Sequence, residues 1–583
     1  MRIEGLAISR RYKGQIPPDA TASGTAGWEP ECTSITQQLK KRPAQMTSPR
    51  LLCAVGIVVL TLLSFFVFPG HSYLKWDTQF WVPMLERLQN PVLFQTDFMA
   101  SRPHLAYTVY DEVTLVLTDY TPLDLEQALK LQQLVFRGMG IAGVFLIGLA
   151  LGLDPMSAWF VAAVYALGIS SDGAGGTVEP EPVPRAFAIG LISFAIGLTA
   201  WKRDWEAGAA GGLALLYHPS TALAFWIVVM IAVAIRRASW KLLVPVAPAA
   251  LLLITLAHFQ SGVTEPAQLF GKLDPFREEF LRVYSAIFVS EWPPKTMLQL
   301  GGACVAVAIA IWRLWRRLNG PLRVLLIGLP LAGLLSVPVS WLLLEQLHLA
   351  LISPWRPTTA AIYIELIAGI LATACGIFAV RERRWIEAVA WMVVAFLLPV
   401  KSAVITWFVN PVVPLVVAGL AVAAVVAVCY ASRTRGATLA VAGLIPFLAM
   451  ADPRVLAQPP AVETRELDDV ARWAREHTPE DAVFLFPYVG VQPTPGIFRA
   501  RSERTIYVDW RGRGQAVFFP AFTVEWSQRW RNTHEGRWKP SAEVLHQIFE
   551  MHVDYVVVAA QDAIPQQTEE FRNAQFVVYR TLP

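Results

Sequence analysis

Two acidic segments, far apart along the chain, carry the residue types needed to move a proton and to hold a phosphate. The first is Lys75-Trp76-Asp77. Asp77 follows the first apolar run and precedes an amphipathic stretch with Phe80, Trp81 and Leu85, which suits a helix lying along a membrane surface. A carboxylate at that depth costs free energy unless it is hydrated or paired. Its chemical reading is a general base that takes a proton from an acceptor hydroxyl as a sugar transfers. Its structural reading is a solvated loop aspartate or the N-cap of the helix that follows.

The second segment runs from Gly175 to Arg185 and contains Glu179-Pro180-Glu181-Pro182-Val183-Pro184. The prolines hold it extended and stiff, so carboxylates two residues apart point the same way. Arg185 opens the next apolar run, where its charge opposes the helix dipole and invites a partner. Such a unit can bind a cation or a sugar through Glu179 and Glu181, and a phosphate through the guanidinium. The plain alternative is a rigid turn with solvated charges.

Other candidates are more scattered. His218, between Tyr217 and Pro219, has the chemistry to ligate a metal or bind phosphate, although a lone histidine more often satisfies a backbone group. Arg356, in Pro354-Trp355-Arg356-Pro357, suits an anionic lipid headgroup, with interfacial anchoring as its alternative. Glu365 falls inside an apolar run, where a carboxylate facing a cavity is a functional candidate. Asp97 and the pair Asp111-Glu112 share the first long connector and rank below Asp77. Asp274, Arg277, Glu278 and Glu279 read as a solvated helix face. No Walker loop, zinc-binding histidine pair, nucleophile elbow or haem motif is present.

These residues must be positioned by membrane helices. The chain is 55% hydrophobic and 16% charged, with mean hydropathy +0.44, which excludes a large soluble enzyme. The net charge of +4 is spread over many loops, so nucleic acid is not an expected partner. About thirteen apolar runs are candidate spans, several of them short: 51–69, 132–153, 156–170, 185–201, 206–217, 219–235, 241–258, 296–313, 323–343, 359–380, 384–400, 411–431 and 437–451, with 206–217 and 219–235 alternatively one long helix broken at Pro219. Basic residues gather in alternate connectors, at Lys202–Arg203, Arg236–Arg237, Arg313–Arg323, Arg381–Arg384 and Arg433–Arg435. The positive-inside rule then makes the N-terminus cytoplasmic and the C-terminus extracytoplasmic. The loops 70–131, 171–184, 259–295 and 344–358, the turn at His218–Pro219 and a short loop around Lys401 share the outer face with the tail. The five cysteines have neither disulfide nor metal-ligand spacing.

Three regions follow. Residues 1–46 read as a disordered cytoplasmic tail or as sequence upstream of a true start at Met46. Residues 47–451 form the membrane domain. Residues 452–583 read as a small extracytoplasmic α/β domain, with helices near 468–476 and 543–551 and strands near 482–486, 505–508, 555–559 and 576–579.

This layout resembles the GT-C superfamily of integral-membrane glycosyltransferases. In the tail, Ala471-Arg472-Trp473-Ala474-Arg475-Glu476-His477-Thr478-Pro479-Glu480-Asp481-Ala482-Val483 looks like the helix, Thr-Pro turn and strand that open the outer domain of the oligosaccharyltransferase catalytic subunit. Glu503–Trp510 and Val553–Val558 resemble the segments that follow. Where that family carries Trp-Trp-Asp-Tyr-Gly to grip an acceptor peptide, this chain has Phe486-Pro487-Tyr488-Val489-Gly490, so glycosylation of sequons is not implied. By position, Asp77 matches the first-loop catalytic acid, and Glu179 with Glu181 matches the second-loop pair.

The resemblance implies a glycosyltransferase using a polyprenyl-phosphate-linked sugar at the outer face of a bacterial inner membrane. Asp77 would be the base. Glu179 and Glu181 would orient the sugar or a divalent cation (Mg or Mn). Arg185 or Arg356 would stabilise the departing phosphate. The rival readings are a non-catalytic protein that binds or moves a lipid-linked saccharide, and a sensor whose outer domain binds a ligand.

Overall fold

The computed structural model describes residues 47–581 except 102–106, 172–174, 260–270, 284–286, 319, 401–409, 456–462, 488 and 535–540. The expectations for residues 1–46, the Lys401 loop and Tyr488 lie outside these residues. Every apolar run named above carries a helix, from Thr47–Phe66 to Ala437–Ala451. Among the described residues, five helical stretches are long and apolar enough to cross a membrane unaided: Leu125–Ala150, Pro294–Leu314, Gly320–Gln346, Ile352–Arg381 and Val412–Tyr430. The others, such as Pro155–Ala166 and Pro184–Ala200, are shorter.

The helices sort by what they face. Ile362–Arg381 is buried along its apolar length and forms the centre of the bundle. Outer helices expose large apolar side chains, among them Ile254, Trp312, Leu415 and Leu448. Such exposure is costly in water and suits hydrocarbon.

The basic connectors meet at one end of the bundle. The Trp201 indole donates to the Leu146 carbonyl, Arg381 pairs with Asp154, and Arg313 pairs with Glu382 and Glu387. Three of these turns repeat one device. Lys202, Arg236 and Arg383 sit just past helix ends in the left-handed conformation, with φ of 57°, 56° and 61°. Their N–H groups donate back to Thr199, Val233 and Val380, and the next residue in each case donates one step further back. This satisfies the terminal carbonyls in the way that glycine usually does. A side chain there costs about 1–2 kcal/mol.

The tail builds a five-stranded sheet from β3 (Val483–Leu485), β4 (Thr505–Ile506), β5 (Tyr555–Ala559), β6 (Phe571–Arg572) and β7 (Phe576–Arg580), in the order β4-β3-β5-β7-β6. A separate hairpin, β1 (Ser170–Ser171) with β2 (Gly175–Gly176), lies between two apolar helices. In the tail sheet, β3 is parallel to β4 and β5, whereas β7 is antiparallel to β5 and β6, so the sheet is mixed. Helix Arg465–His477 buries Leu467, Val470, Ala471 and Ala474 and is capped by the Thr464 hydroxyl. Helices Thr494–Ser502 and Pro520–His534 are additional to those expected from the sequence. One apolar core continues from bundle residues such as Leu85 and Tyr110 into tail residues such as Phe484 and Phe498. The tail therefore packs into the same unit as the helices.

Candidate functional site

The two acidic segments meet at the bundle end opposite the basic connectors. Glu181, 4% exposed, accepts hydrogen bonds from the N–H groups of Trp76 and Asp77, the latter at 2.9 Å. The Thr78 hydroxyl lies 3.0 Å from the same carboxylate. The start of helix Thr78–Gln89 is thus held by a residue from a distant loop. Asp77 occupies the N-cap position, but its side chain makes no capping bond. The expectation of an N-capping Asp77 is corrected here. Glu181 takes the N–H groups of Trp76 and Asp77, not the N–H groups of Gln79 or Phe80 that an N-capping side chain would bond, and the Asp77 carboxylate faces Arg185 instead.

Arg185 connects the segments. Its Nε and Nη2 reach the two oxygens of Glu179 at 2.5 and 2.8 Å, and Nη2 lies 3.5 Å from Asp77 Oδ2. The Glu179 side chain is 9% exposed, while those of Arg185 and Asp77 are 24% and 35% exposed. Gly175 makes room for this pair. It has φ +95°, and a Cβ there would sit 2.7 Å from Arg185 Nε and 2.8 Å from Glu179 Oε1. Burial, and then the charge of Asp77, push the Glu181 carboxyl up to about 8.

The backbone of this loop is fastened from behind. The Glu179 carbonyl accepts from Gln133 at 3.0 Å and from Arg137 at 2.6 Å, and Arg137 also donates to the Ser64 and Gly70 carbonyls. The Tyr110 hydroxyl holds the Pro182 carbonyl at 2.7 Å, and the Ser72 N–H donates to the Pro180 carbonyl. Leu125–Ala150 and Pro184–Ala200 approach closely enough to allow this, because glycines line their crossing. A Cβ on Gly143 would lie 2.3 Å from the Ser193 carbonyl oxygen.

His218 and Arg356 stand next to this cluster. His218 caps helix Pro219–Ala234, its Nδ1 accepting the Thr221 N–H at 3.2 Å. Burial holds its imidazole down at about 3, and the Arg185 and Arg356 charges add to the effect. His218 is therefore neutral at physiological pH, with the proton on Nε2, and meets a phosphate only as a neutral donor. Arg356 adopts φ +47° at a sharp bend, and Thr359, three residues on, contacts the Ser220 carbonyl at 3.4 Å.

Two candidates have structural partners elsewhere. Asp97 is 0% exposed and forms a buried triad in which Arg499 lies 3.0 Å from Asp97 and 2.8 Å from Asp509. It ties the first connector to the tail and is not part of the Asp77 group. Glu365 accepts from Gln299 at 2.9 Å, joining two helices inside the bundle.

The carboxylates of this arrangement are engaged by other groups. Both Glu179 oxygens are on Arg185, Glu181 is on backbone N–H groups, and a guanidinium fills the space between Glu179 and Asp77. Among the described residues no group of three or more His, Cys, Asp or Glu side chains is placed to hold a metal. Arg137 is the main contributor the sequence reading missed. An arginine inside an apolar run was the available signal.

A family described as Domain of unknown function (DUF6798) matches residues 465–533, within the tail. No curated protein matches the chain in sequence. Two solved structures of the Archaeoglobus fulgidus oligosaccharyltransferase are similar to it. The apo form gives a TM-score of 0.39 at 10% identity, covering 88% of this chain and 70% of that one. The complex with Zn and sulfate gives 0.35 at 12% identity, covering 87% and 68%.

Proposed function

We propose that this chain is a GT-C-type glycosyltransferase that takes a sugar from a polyprenyl-phosphate-linked donor at the outer face of the inner membrane. The observation that carries the proposal is the placement of Asp77. Its carboxylate makes no capping bond, is partly exposed, and is held beside Arg185 where two distant loops meet. In the reaction, Asp77 accepts the proton of an acceptor hydroxyl as that oxygen bonds the anomeric carbon. The bond from that carbon to the donor phosphate oxygen breaks, and the phosphate leaves as an anion. Arg185 and Arg356 offset its charge, and the neutral His218 offers one N–H. The donor's lipid tail stays among the helices while its headgroup reaches the loops.

Asp77→Asn tests this. Membranes supplied with radiolabelled polyprenyl-linked sugars should show transfer with the wild type and about 10²–10⁴-fold less with the variant. Full transfer by the variant removes the base assignment. The occupation of Glu179 by Arg185 favours a second reading, in which the same cluster binds a lipid-linked saccharide without catalysis. Donor binding by wild-type protein with no transfer to any acceptor would select it.

A further inference from the structure

The tail turn Arg511–Val517 is bolted down by arginines. Arg499, 1% exposed, holds Asp509, whose Oδ1 accepts the Gly512 N–H at 3.3 Å. The Asp509 carbonyl accepts the Trp526 indole N–H at 2.9 Å. At the other end Arg277, from helix Pro275–Arg282, donates to the carbonyls of Ala516 and Val517 at 2.9 and 2.7 Å. Arg513 donates to the Phe280 carbonyl. Each of these guanidiniums satisfies acceptors that a short helical turn or a loop leaves open.

Arg511 is used differently. Its guanidinium carbon lies 4.3 Å from the centre of the Trp76 ring. Among the described residues it has no ion pair, and its Nε, shielded from solvent, makes no hydrogen bond. Stacking occupies the face of a guanidinium and leaves its in-plane N–H fork available for an oxyanion. Trp76 precedes Asp77, and its own N–H is held by Glu181. The turn is thus fixed so that a cation with no ion pair among the described residues stacks on Trp76, the residue before Asp77.

We propose that Arg511, stacked on Trp76, is an oxyanion-binding arm that grips a phosphate or carboxylate of the substrate. The binding claim stands on this geometry, and only the naming of the ligand as a glycosyl-transfer substrate rests on the proposed function. Two sources share the chemistry: the phosphate of the lipid-linked donor and an acidic group on the acceptor. A stacked guanidinium loses little freedom on binding, so its removal should show mainly in affinity.

The test uses the full chain in neutral phosphatidylcholine nanodiscs. Two probes are titrated, soluble tetragalacturonate and undecaprenyl phosphate carried in the disc, against wild type, Arg511→Gln, Arg511→Lys and Asp77→Asn. Wild type should bind at least one probe, and Arg511→Gln should weaken that binding about tenfold while melting like wild type. Arg511→Lys should recover part of the loss. A loss confined to tetragalacturonate assigns the arm to the acceptor, and one confined to undecaprenyl phosphate assigns it to the donor. Wild-type affinity for both probes in Arg511→Gln, or no binding of either by the wild type, overturns the proposal. Asp77→Asn, which removes a negative charge beside Arg185, should bind each probe at least as tightly as wild type does. If that variant also retains transfer activity, the base assignment falls and the anion arm stands.

Discussion

Arg185 reaches Glu179 through two hydrogen bonds and Asp77 at 3.5 Å, so one guanidinium fixes the spacing of carboxylates from two separate loops. The first turn of Pro184–Ala200 gains a neutralised cation, and Asp77 gains a fixed position without being used as a cap.

Asp77→Asn preserves shape and removes the proton acceptor. Transfer should fall about 10²–10⁴-fold, the range typical of losing a general base. Thermal unfolding should shift little, because the Asp77 side chain caps no helix. Radiolabelled transfer and a melting curve on the same preparation check both halves.

Arg185→Gln strands a nearly buried Glu179 carboxylate. Partial exposure of Arg185 reduces the penalty from that of a fully buried pair, giving an expected destabilisation of about 1–3 kcal/mol. Adding Glu179→Gln should recover part of the loss, so the double variant should be more stable than the sum of the single changes predicts. A double-mutant cycle by chemical denaturation measures the coupling, and strict additivity would refute it.

Glu181 makes stability depend on pH. Its carboxyl is raised from 4.5 to about 8 in the fold, so between those values the native state holds a proton that the unfolded chain has released. Stability from this group is therefore complete below pH 4.5 and declines as pH rises towards 8. The decline in melting temperature between pH 5 and 8 should be shallower in Glu181→Gln than in wild type. Parallel curves would show that Glu181 is not the titrating group.

Arg499→Met leaves Asp97 and Asp509 facing each other in a buried site. Removing one member of a buried ionic group costs about 3–5 kcal/mol, and here two like charges remain. The tail should become sensitive to limited proteolysis near its junction with the first connector. Asp97→Asn combined with Asp509→Asn in the same background should restore resistance in part. An unchanged digestion pattern in Arg499→Met would count against the triad as the fastener.

The helices were readable because each apolar run is a local signal, and each of those runs carries a helix. The Arg465–His477 stripe was readable for the same reason. Asp77, Glu179, Glu181 and Arg185 could be named from residue type, and the structure brings them together. What each one touches could not be named. The bonds of Glu181 at the start of Thr78–Gln89 and the stacking of Arg511 on Trp76 join residues hundreds of angstroms of extended chain apart. No local pattern encodes such pairings. Helix Pro520–His534 was missed because its apolar positions are interrupted by Arg529, Arg531 and Asn532, and its packing partners come from elsewhere in the fold.

The left-handed turns at Lys202, Arg236 and Arg383 bear on how the molecule is made. Glycine would relieve the backbone at all three places, yet each carries a positive charge. On the topology expected from the positive-inside rule, those charges would resist translocation during synthesis, before any helix has found its neighbours. Replacing all three by glycine should therefore give a polypeptide that is easier to fold and harder to thread, with helices entering the bilayer in mixed directions.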